Sequence, residues 1–201
     1  MTRVLGAADK PALRRAVLSR RAALPPDERA RIARTAVEVL VPEAGAGPVA
    51  AYLSVGTEPG TAELLEALAR AGVEVLLPVL LPDGDLDWAR AGEGVQPGVH
   101  RLLEPTGTRL GSDAVGACTL LVVPALSVDR TGVRLGRGGG SYDRALRRAV
   151  GRTVALLHDG EAVTALPAEE HDVPVHAVVT PSRGLVALRE DVRDGATGGQ
   201  G

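Results

Sequence analysis

The stretch PVAAYLSVGTEPGTAELLEALARAGVEVLLPVL, residues 48–80, decides the fold. It opens on PVAAYLS (48–54), a short apolar run that reads as a buried strand. TAELLEALARAG (61–72) follows after a loop as an amphipathic helix closed by Gly72, and VEVLLPVL (73–80) comes at once as a second strand. Strand, loop, helix, strand is a βαβ unit, so the two strands run parallel and the crossover is expected to be right-handed.

The rest of the chain extends this unit outward. Upstream, DKPALRRAVLSRRAAL opens a helix that Asp9 can cap and in which Pro11 sits in the tolerant first turn. PPDERARIARTAVEVL restarts at Pro26 as a second helix to about Leu40. Downstream, the segment 82–116 is rich in Gly, Asp and Pro and offers one short strand near residues 86–89. TLLVVPALSV (119–128) is a further buried strand that Pro124 marks as ending, and SYDRALRRAV (141–150) is a helix with Ser141 as its expected N-cap. RTVALLH and HAVVT read as the last two strands, and DGATGGQG (194–201) as a disordered tail. The expected architecture is α/β, three-layer α/β/α with a mostly parallel sheet, in one domain over residues 1–193. Ligands are expected at the carboxyl ends of its strands.

Composition bounds the function. The 201 residues are 45% hydrophobic, enough for one core, and the net charge of −2 lacks the basic face that nucleic-acid binding needs. No apolar run approaches the ~20 residues of a membrane span, and the N-terminus has no signal-peptide core. A cytoplasmic protein without nucleic-acid or membrane partners is expected; the oligomeric state stays open, with a monomer as the default. The single cysteine, Cys118, excludes an intramolecular disulfide and a Cys-based zinc cluster, and reads as a buried inert thiol. Of 23 basic residues only Lys10 is lysine. In a chain otherwise biased to Arg, a compact ammonium suited to a phosphate oxygen stands out.

The loop RLGRGGGSYDR (134–144) has the composition of a phosphate cradle, yet fits neither the Walker pattern nor G-x-G-x-x-G. It lies between a buried strand and a helix, where glycines let backbone N–H groups approach an anion and the helix start adds its dipole. Arg134 and Arg137 can add charge-assisted bonds to phosphate; a flexible surface hairpin is the plain alternative. Asp143, in the first helical turn, either complements the helix dipole or ligates Mg2+ through hard oxygens. Asp172, in EEHDVPV, reads as a second, exposed carboxylate, whereas His171 and His176 straddle Pro174 and offer no better metal site. Lys10 and Arg14, four apart, share one helix face, as a solvated pair or as ligands. Glu58 follows the first parallel strand, where substrate contacts are expected if it is more than an ordinary loop carboxylate. No Ser-His-Asp grouping and no G-x-S-x-G elbow is present.

Four stretches in order, KPALR (10–14), YLSVGTEPGT (52–61), VPALSVDRTGVRLGRGGGSYDR (123–144) and PAEEHDVPV (167–175), resemble the 5-formyltetrahydrofolate cyclo-ligase family, also called methenyltetrahydrofolate synthetases. The third stretch carries the most specific likeness. The resemblance implies an ATP- and Mg2+-dependent ligase that cyclises 5-formyltetrahydrofolate to 5,10-methenyltetrahydrofolate, releasing ADP and phosphate. Phosphorylation would turn the amide-like formyl oxygen into a leaving group, N10 would close the ring, and phosphate would depart. Such chemistry needs positioning and charge neutralisation more than covalent catalysis.

By the same resemblance Lys10, Arg14 and Arg134 would touch ATP phosphates, with Lys10 and Arg134 the catalytic cations. Arg137 and the backbone of Gly136, Gly138, Gly139, Gly140, Ser141 and Tyr142 would complete the ATP cradle. Asp143 and Asp172 would hold Mg2+. Leu53, Glu58 and Tyr142 would meet the folate, with Glu58 receiving its N–H donors. The chain departs from the family at Ser141, where a first Tyr is usual in Gly-Tyr-Tyr-Asp, and around Trp88, where the pocket wall stays unassigned. Two rival readings are a sugar-phosphate or CoA-type α/β enzyme and a nucleotide- or folate-binding protein without turnover.

Overall fold

A computed structural model describes residues 10–98 and 103–188. The expected cap at Asp9, the 1–193 domain limits and the 194–201 tail lie wholly or partly outside the described residues.

The chain begins with helices α1 (Lys10–Ala22) and α2 (Pro26–Leu40). The β1 (Val49–Ala50), α3 (Ala62–Arg70) and β2 (Val75–Leu80) elements then form the expected unit, and β1 pairs with β2 in parallel. Pro26 with Asp27 and Glu28 in the first turn suits the start of α2, and its Ile32, Ala36 and Leu40 recur every four residues on one buried stripe. Next come β3 (Leu86–Arg90), a hairpin of β4 (Val95–Pro97) and β5 (Leu103–Pro105), and a 3-10 helix over Ser112–Ala117. β6 (Leu120–Pro124), β7 (Ser127–Asp129), β8 (Arg134–Leu135), α4 (Ser141–Leu146), β9 (Arg152–Leu156), β10 (Ala162–Val163), β11 (Ala177–Thr180) and β12 (Gly184–Ala187) complete it.

Seven strands form one sheet in the order β12-β11-β9-β6-β1-β2-β3. The inner five are parallel, and both edge strands are antiparallel. The inner strands are apolar on both faces, and alternate residues serve different cores. Leu120 and Val122 of β6 pack with Val154 and Leu156 of β9 against Ile32, Leu40, Leu64 and Leu68 of α2 and α3. Leu121, Val123 and Ala155 turn the other way, onto Val115, Trp88, Ala145 and Leu146. This double use of each strand produces the three layers. Each such Leu or Val, removed from water, favours the fold by about 1.5–3 kcal/mol.

Several local expectations need correction. HAVVT is not the final strand: β12 pairs with β11 as an antiparallel edge. The first strand is limited to Val49–Ala50, and α4 stops at Leu146, so Val150 is 80% exposed instead of helical. Ser141 does not cap α4. Gly140 does, in the left-handed conformation at φ 69°, and Ser141 is the first helical residue. Cys118 is buried as expected, and burial pushes its thiol up to about 11.

A second, three-stranded sheet, β10-β7-β8, was not legible and governs the site. Asp129 turns the chain between β7 and β8: its Oδ1 accepts from Thr131 N at 2.8 Å, Thr131 Oγ1 at 2.7 Å and Val133 N at 3.1 Å. Helix α1 docks here through Val17, which packs on Leu126 and Leu135. A buried pair reinforces the contact, with Arg21 Nε 2.7 Å from Glu161 Oε1 and Nη2 donating to Glu161 Oε2 at 2.8 Å and Ala125 O at 2.6 Å. Both side chains are about 1% exposed, so breaking the pair from one side would strand a charge, at about 3–5 kcal/mol. The docking carries Lys10 and Arg14 to the carboxyl ends of the parallel strands.

Candidate active site

A cavity of about 920 Å3 opens at those strand ends. Residues following β1 (Tyr52, Leu53, Glu58) and at the end of β6 (Pro124, Ala125) line it, as the switch-point rule anticipates for an open α/β sheet. Its size falls within the usual range for small-molecule sites. Every candidate site residue lines this one cavity: Lys10, Arg14, Leu53, Glu58, Arg134, Gly136, Arg137, Gly138, Gly139, Gly140, Ser141, Tyr142, Asp143 and Asp172.

The cations are held, not loosely solvated. Lys10 is 8% exposed, and its Nζ donates to Glu169 Oε2 at 2.7 Å and Asp172 Oδ2 at 3.0 Å. Burial alone would lower its pKa, but the two carboxylates outweigh burial and hold the ammonium above its ordinary value. The solvated-pair alternative for Lys10 and Arg14 is therefore excluded for Lys10. Arg14 Nε donates to Gly136 O at 2.9 Å and so grips the first turn of the glycine loop.

Arg134 is buried, with Nη2 donating to Asp143 Oδ1 at 2.9 Å and its guanidinium carbon 5.8 Å from the centre of the Tyr142 ring. These arginines lie close over the glycines of the loop. A Cβ at Gly136 would stand 2.9 Å from Arg134 Nη1, and one at Gly138, whose φ is 107°, would stand 3.3 Å from Arg14 Cζ. Among the described residues, the N–H groups of Gly136 to Gly140 have no intramolecular acceptor. Free N–H donors flanked by Arg14 and Arg134 make a fit receptor for phosphate oxygens.

Arg137 makes a contact that its place in the glycine loop did not announce. Its Nε donates to Glu58 Oε1 at 3.0 Å, while Glu58 Oε2 accepts from Val55 N at 3.0 Å. Glu58 is thus no ordinary loop carboxylate: it joins the β1 exit loop to the glycine loop. Tyr142 lines the cavity beside this junction, its hydroxyl pKa raised by burial and by the nearby Glu58 charge.

Asp172 was expected to be exposed, but its side chain is only 9% accessible because the 169–172 turn folds it back under Lys10. Its Oδ2 accepts from Glu169 N at 2.8 Å as well as from Lys10. Burial alone would raise its pKa, yet that N–H and the Lys10 ammonium keep it below the ordinary Asp value. Sequence reasoning passed over Glu169 and set aside His171, whose Nε2 lies 3.7 Å from Glu169 Oε2 and 3.9 Å from Asp172 Oδ1. One ligand atom from each of the three lies within 4.8 Å of the others. The run EEHD was the available signal.

Asp143 and Asp172 both line the cavity, and carboxylate oxygens are the donor chemistry Mg2+ requires. Trp88, the unassigned position, is 1% exposed and belongs to the core; the cavity wall nearby is Leu86, with Leu80 and Pro78 of β2. Among the described residues no helix is long and apolar enough to cross a membrane.

Comparison with known proteins agrees with this geometry. A family model described as the 5-formyltetrahydrofolate cyclo-ligase family matches residues 6–181. The chain is 42% identical over 149 residues to a 5-formyltetrahydrofolate cyclo-ligase of Mycolicibacterium smegmatis, covering 70% of this chain and 77% of that one. It is 35% identical over 177 residues to the enzyme of that name from Escherichia coli K12, covering 83% and 97%. Among solved structures it resembles the NMR structure of an Aquifex aeolicus 5,10-methenyltetrahydrofolate synthetase, with a TM-score of 0.74 at 25% identity over 96% of this chain and 97% of that chain.

Proposed function

The chain belongs to the 5-formyltetrahydrofolate cyclo-ligase family, and we infer from that premise that it closes 5-formyltetrahydrofolate to 5,10-methenyltetrahydrofolate, driven by ATP with Mg2+. The observation that carries this reading is convergence: four stretches far apart in sequence bring an anion receptor, two metal-type carboxylates and Glu58 to one cavity.

ATP supplies the phosphoryl group that makes the formyl oxygen a leaving group, so that N10 can close the ring. The chain's own residues supply position and charge. The N–H groups of Gly136 to Gly140, with Arg14 and Arg134, hold phosphate oxygens without needing to reorganise. Lys10, fixed by Glu169 and Asp172, offsets negative charge at the same end. Asp143 and Asp172 would hold Mg2+. Glu58 and Leu53 face the folate, and Glu58 orients it by accepting N–H donors while tied to the glycine loop through Arg137. Pro78, Leu80 and Leu86 give the folate an apolar wall that limits water at the reacting atoms.

The reading includes a cytoplasmic monomer that acts on a small molecule without nucleic acid, in keeping with the net charge of −2. Near-UV absorbance of methenyltetrahydrofolate, followed with and without Mg-ATP, tests the activity. Product should form only when protein, 5-formyltetrahydrofolate and Mg-ATP are all present, and its absence from the complete mixture would refute the reading.

A further inference from the structure

Among the described residues His158 is the one buried histidine, 2% exposed, and the reaction described above does not use it. It stands just past the carboxyl end of β9, and its Nε2 lies 3.4 Å from Thr57 O in the loop that leaves β1. A carbonyl oxygen only accepts, so this contact requires the imidazole proton to sit on Nε2. The other nitrogen agrees: Nδ1 is buried with no hydrogen-bond partner among the described residues, and a proton there would be left unsatisfied. Burial, with Arg21 and Arg29 nearby, lowers the imidazole pKa against the opposing pull of Glu161, so the ring is neutral.

Thr57 immediately precedes Glu58. The turn they share is closed on itself, with Glu58 N donating to Val55 O at 3.2 Å and Val55 N donating to Glu58 Oε2 at 3.0 Å. Tyr52 and Thr61 fasten its flanks, through Tyr52 Oη to Pro59 O and Thr61 Oγ1 to Tyr52 O. Two side chains from other elements reach residues 57 and 58 directly: Arg137, and His158. Arg137 is 55% exposed, so solvent screens its hold, whereas the imidazole is dry and little solvent competes for its proton. The base of His158 is fixed as well. Its backbone N–H donates to Glu161 Oε2 at 2.8 Å, the carboxylate whose pair with Arg21 docks α1.

We propose that His158 is a positioning residue for folate binding: its Nε2–H holds the Thr57 carbonyl and so fixes where Glu58 presents its carboxylate. This rests on the cyclo-ligase reading above and adds to it a residue that touches neither substrate. One histidine thereby ties the loop that meets the folate to the buried pair that brings Lys10 and Arg14 to the nucleotide end.

The test compares saturation kinetics and folate binding by calorimetry for wild type, His158→Leu, His158→Gln, Glu58→Gln and the double variant His158→Leu with Glu58→Gln. His158→Leu should raise the folate constant roughly three- to tenfold and leave the ATP constant unchanged. His158→Gln keeps an N–H donor near the Nε2 position and should stay within about twofold of wild type. In the Glu58→Gln background His158→Leu should shift the folate constant less than about twofold, because the group it positions is already gone. A purely structural role would move both constants in both backgrounds. NMR of the wild-type imidazole, assigned through the backbone, needs no variant and should find the proton on Nε2. A bare Nε2, an unchanged folate constant in His158→Leu, or fully additive effects in the double variant would overturn the His158 assignment and leave the cyclo-ligase reading intact. A wild type that neither binds nor converts 5-formyltetrahydrofolate would overturn both.

Discussion

Arg137 Nε stands 3.0 Å from Glu58 Oε1, joining the glycine loop to the loop that leaves β1. The two residues belong to different halves of the cavity, one beside the anion receptor and one beside Leu53. Arg137 is 55% exposed, so solvent screens the pair and its share of stability is small. Arg137→Ala should leave the melting temperature unchanged while both Michaelis constants rise less than about tenfold. Glu58→Gln should raise the folate constant roughly ten- to hundredfold with little effect on ATP. Equal effects of the two substitutions on folate would mean that Glu58 acts only as a partner for Arg137.

Lys10→Gln tests the ammonium. Removing one charge-assisted bond to phosphate should cost about 1.5–3 kcal/mol in ATP binding, and the ATP constant should rise far more than the folate constant. An unchanged ATP constant in the folded variant would reduce Lys10 to a partner for Glu169 and Asp172.

The Lys10 cluster also sets a pH window. Asp172 titrates below its ordinary 3.8 in the folded protein, so its stabilisation is present above that pH and lost as pH falls through the depressed value. Lys10 titrates above its ordinary 10.5, so its contribution is present below that pH and lost as pH rises through the raised value. Melting temperature measured against pH should fall more steeply below pH 3.8 in wild type than in Asp172→Asn. At neutral pH the variant should be less stable by about 1–2 kcal/mol. Superimposable acid limbs would contradict the pairing.

Asp143→Asn keeps an amide oxygen for Arg134 but removes the charge a hard cation needs. Turnover should collapse and the Mg2+ requirement should rise, while stability falls by no more than about 1–2 kcal/mol. Loss of stability and activity in parallel, with the Mg2+ dependence unmoved, would assign Asp143 to Arg134 alone.

Ser141→Tyr addresses the departure from the family's loop. Gly140, not Ser141, caps α4, so the substitution removes no cap. Position 141 lines the cavity, and an aromatic ring there could add about 1 kcal/mol of contact to the folate. Saturation curves should show the folate constant tightened up to about fivefold and the ATP constant unchanged. A large ATP effect alone would place position 141 on the nucleotide side.

Much of this was legible because the signals were local. The Pro26 start set α2 to the residue, and the apolar runs at β2, β6 and β9 gave the parallel core. The glycine loop, Lys10, Arg14 and Asp172 were legible mainly as family motifs. What stayed hidden depends on contacts distant in sequence or on very short elements. β8 and β10 have two residues each, too few for any periodicity. Arg21 and Glu161 are 140 positions apart, and nothing in either neighbourhood announces the pair that docks α1. His158 looks like any strand-end histidine until the fold buries it beside Thr57. Ser141 misled because a good capping residue followed a glycine able to adopt the left-handed conformation that ends the loop.

The central claim is that one cavity couples nucleotide cleavage to ring closure. Its most direct test is parallel quantification of ADP and methenyltetrahydrofolate in one reaction of the purified protein with Mg-ATP and 5-formyltetrahydrofolate. The account predicts one ADP for each methenyl product throughout the time course. Methenyl product formed without ADP, or ADP accumulating without methenyl product, would contradict it.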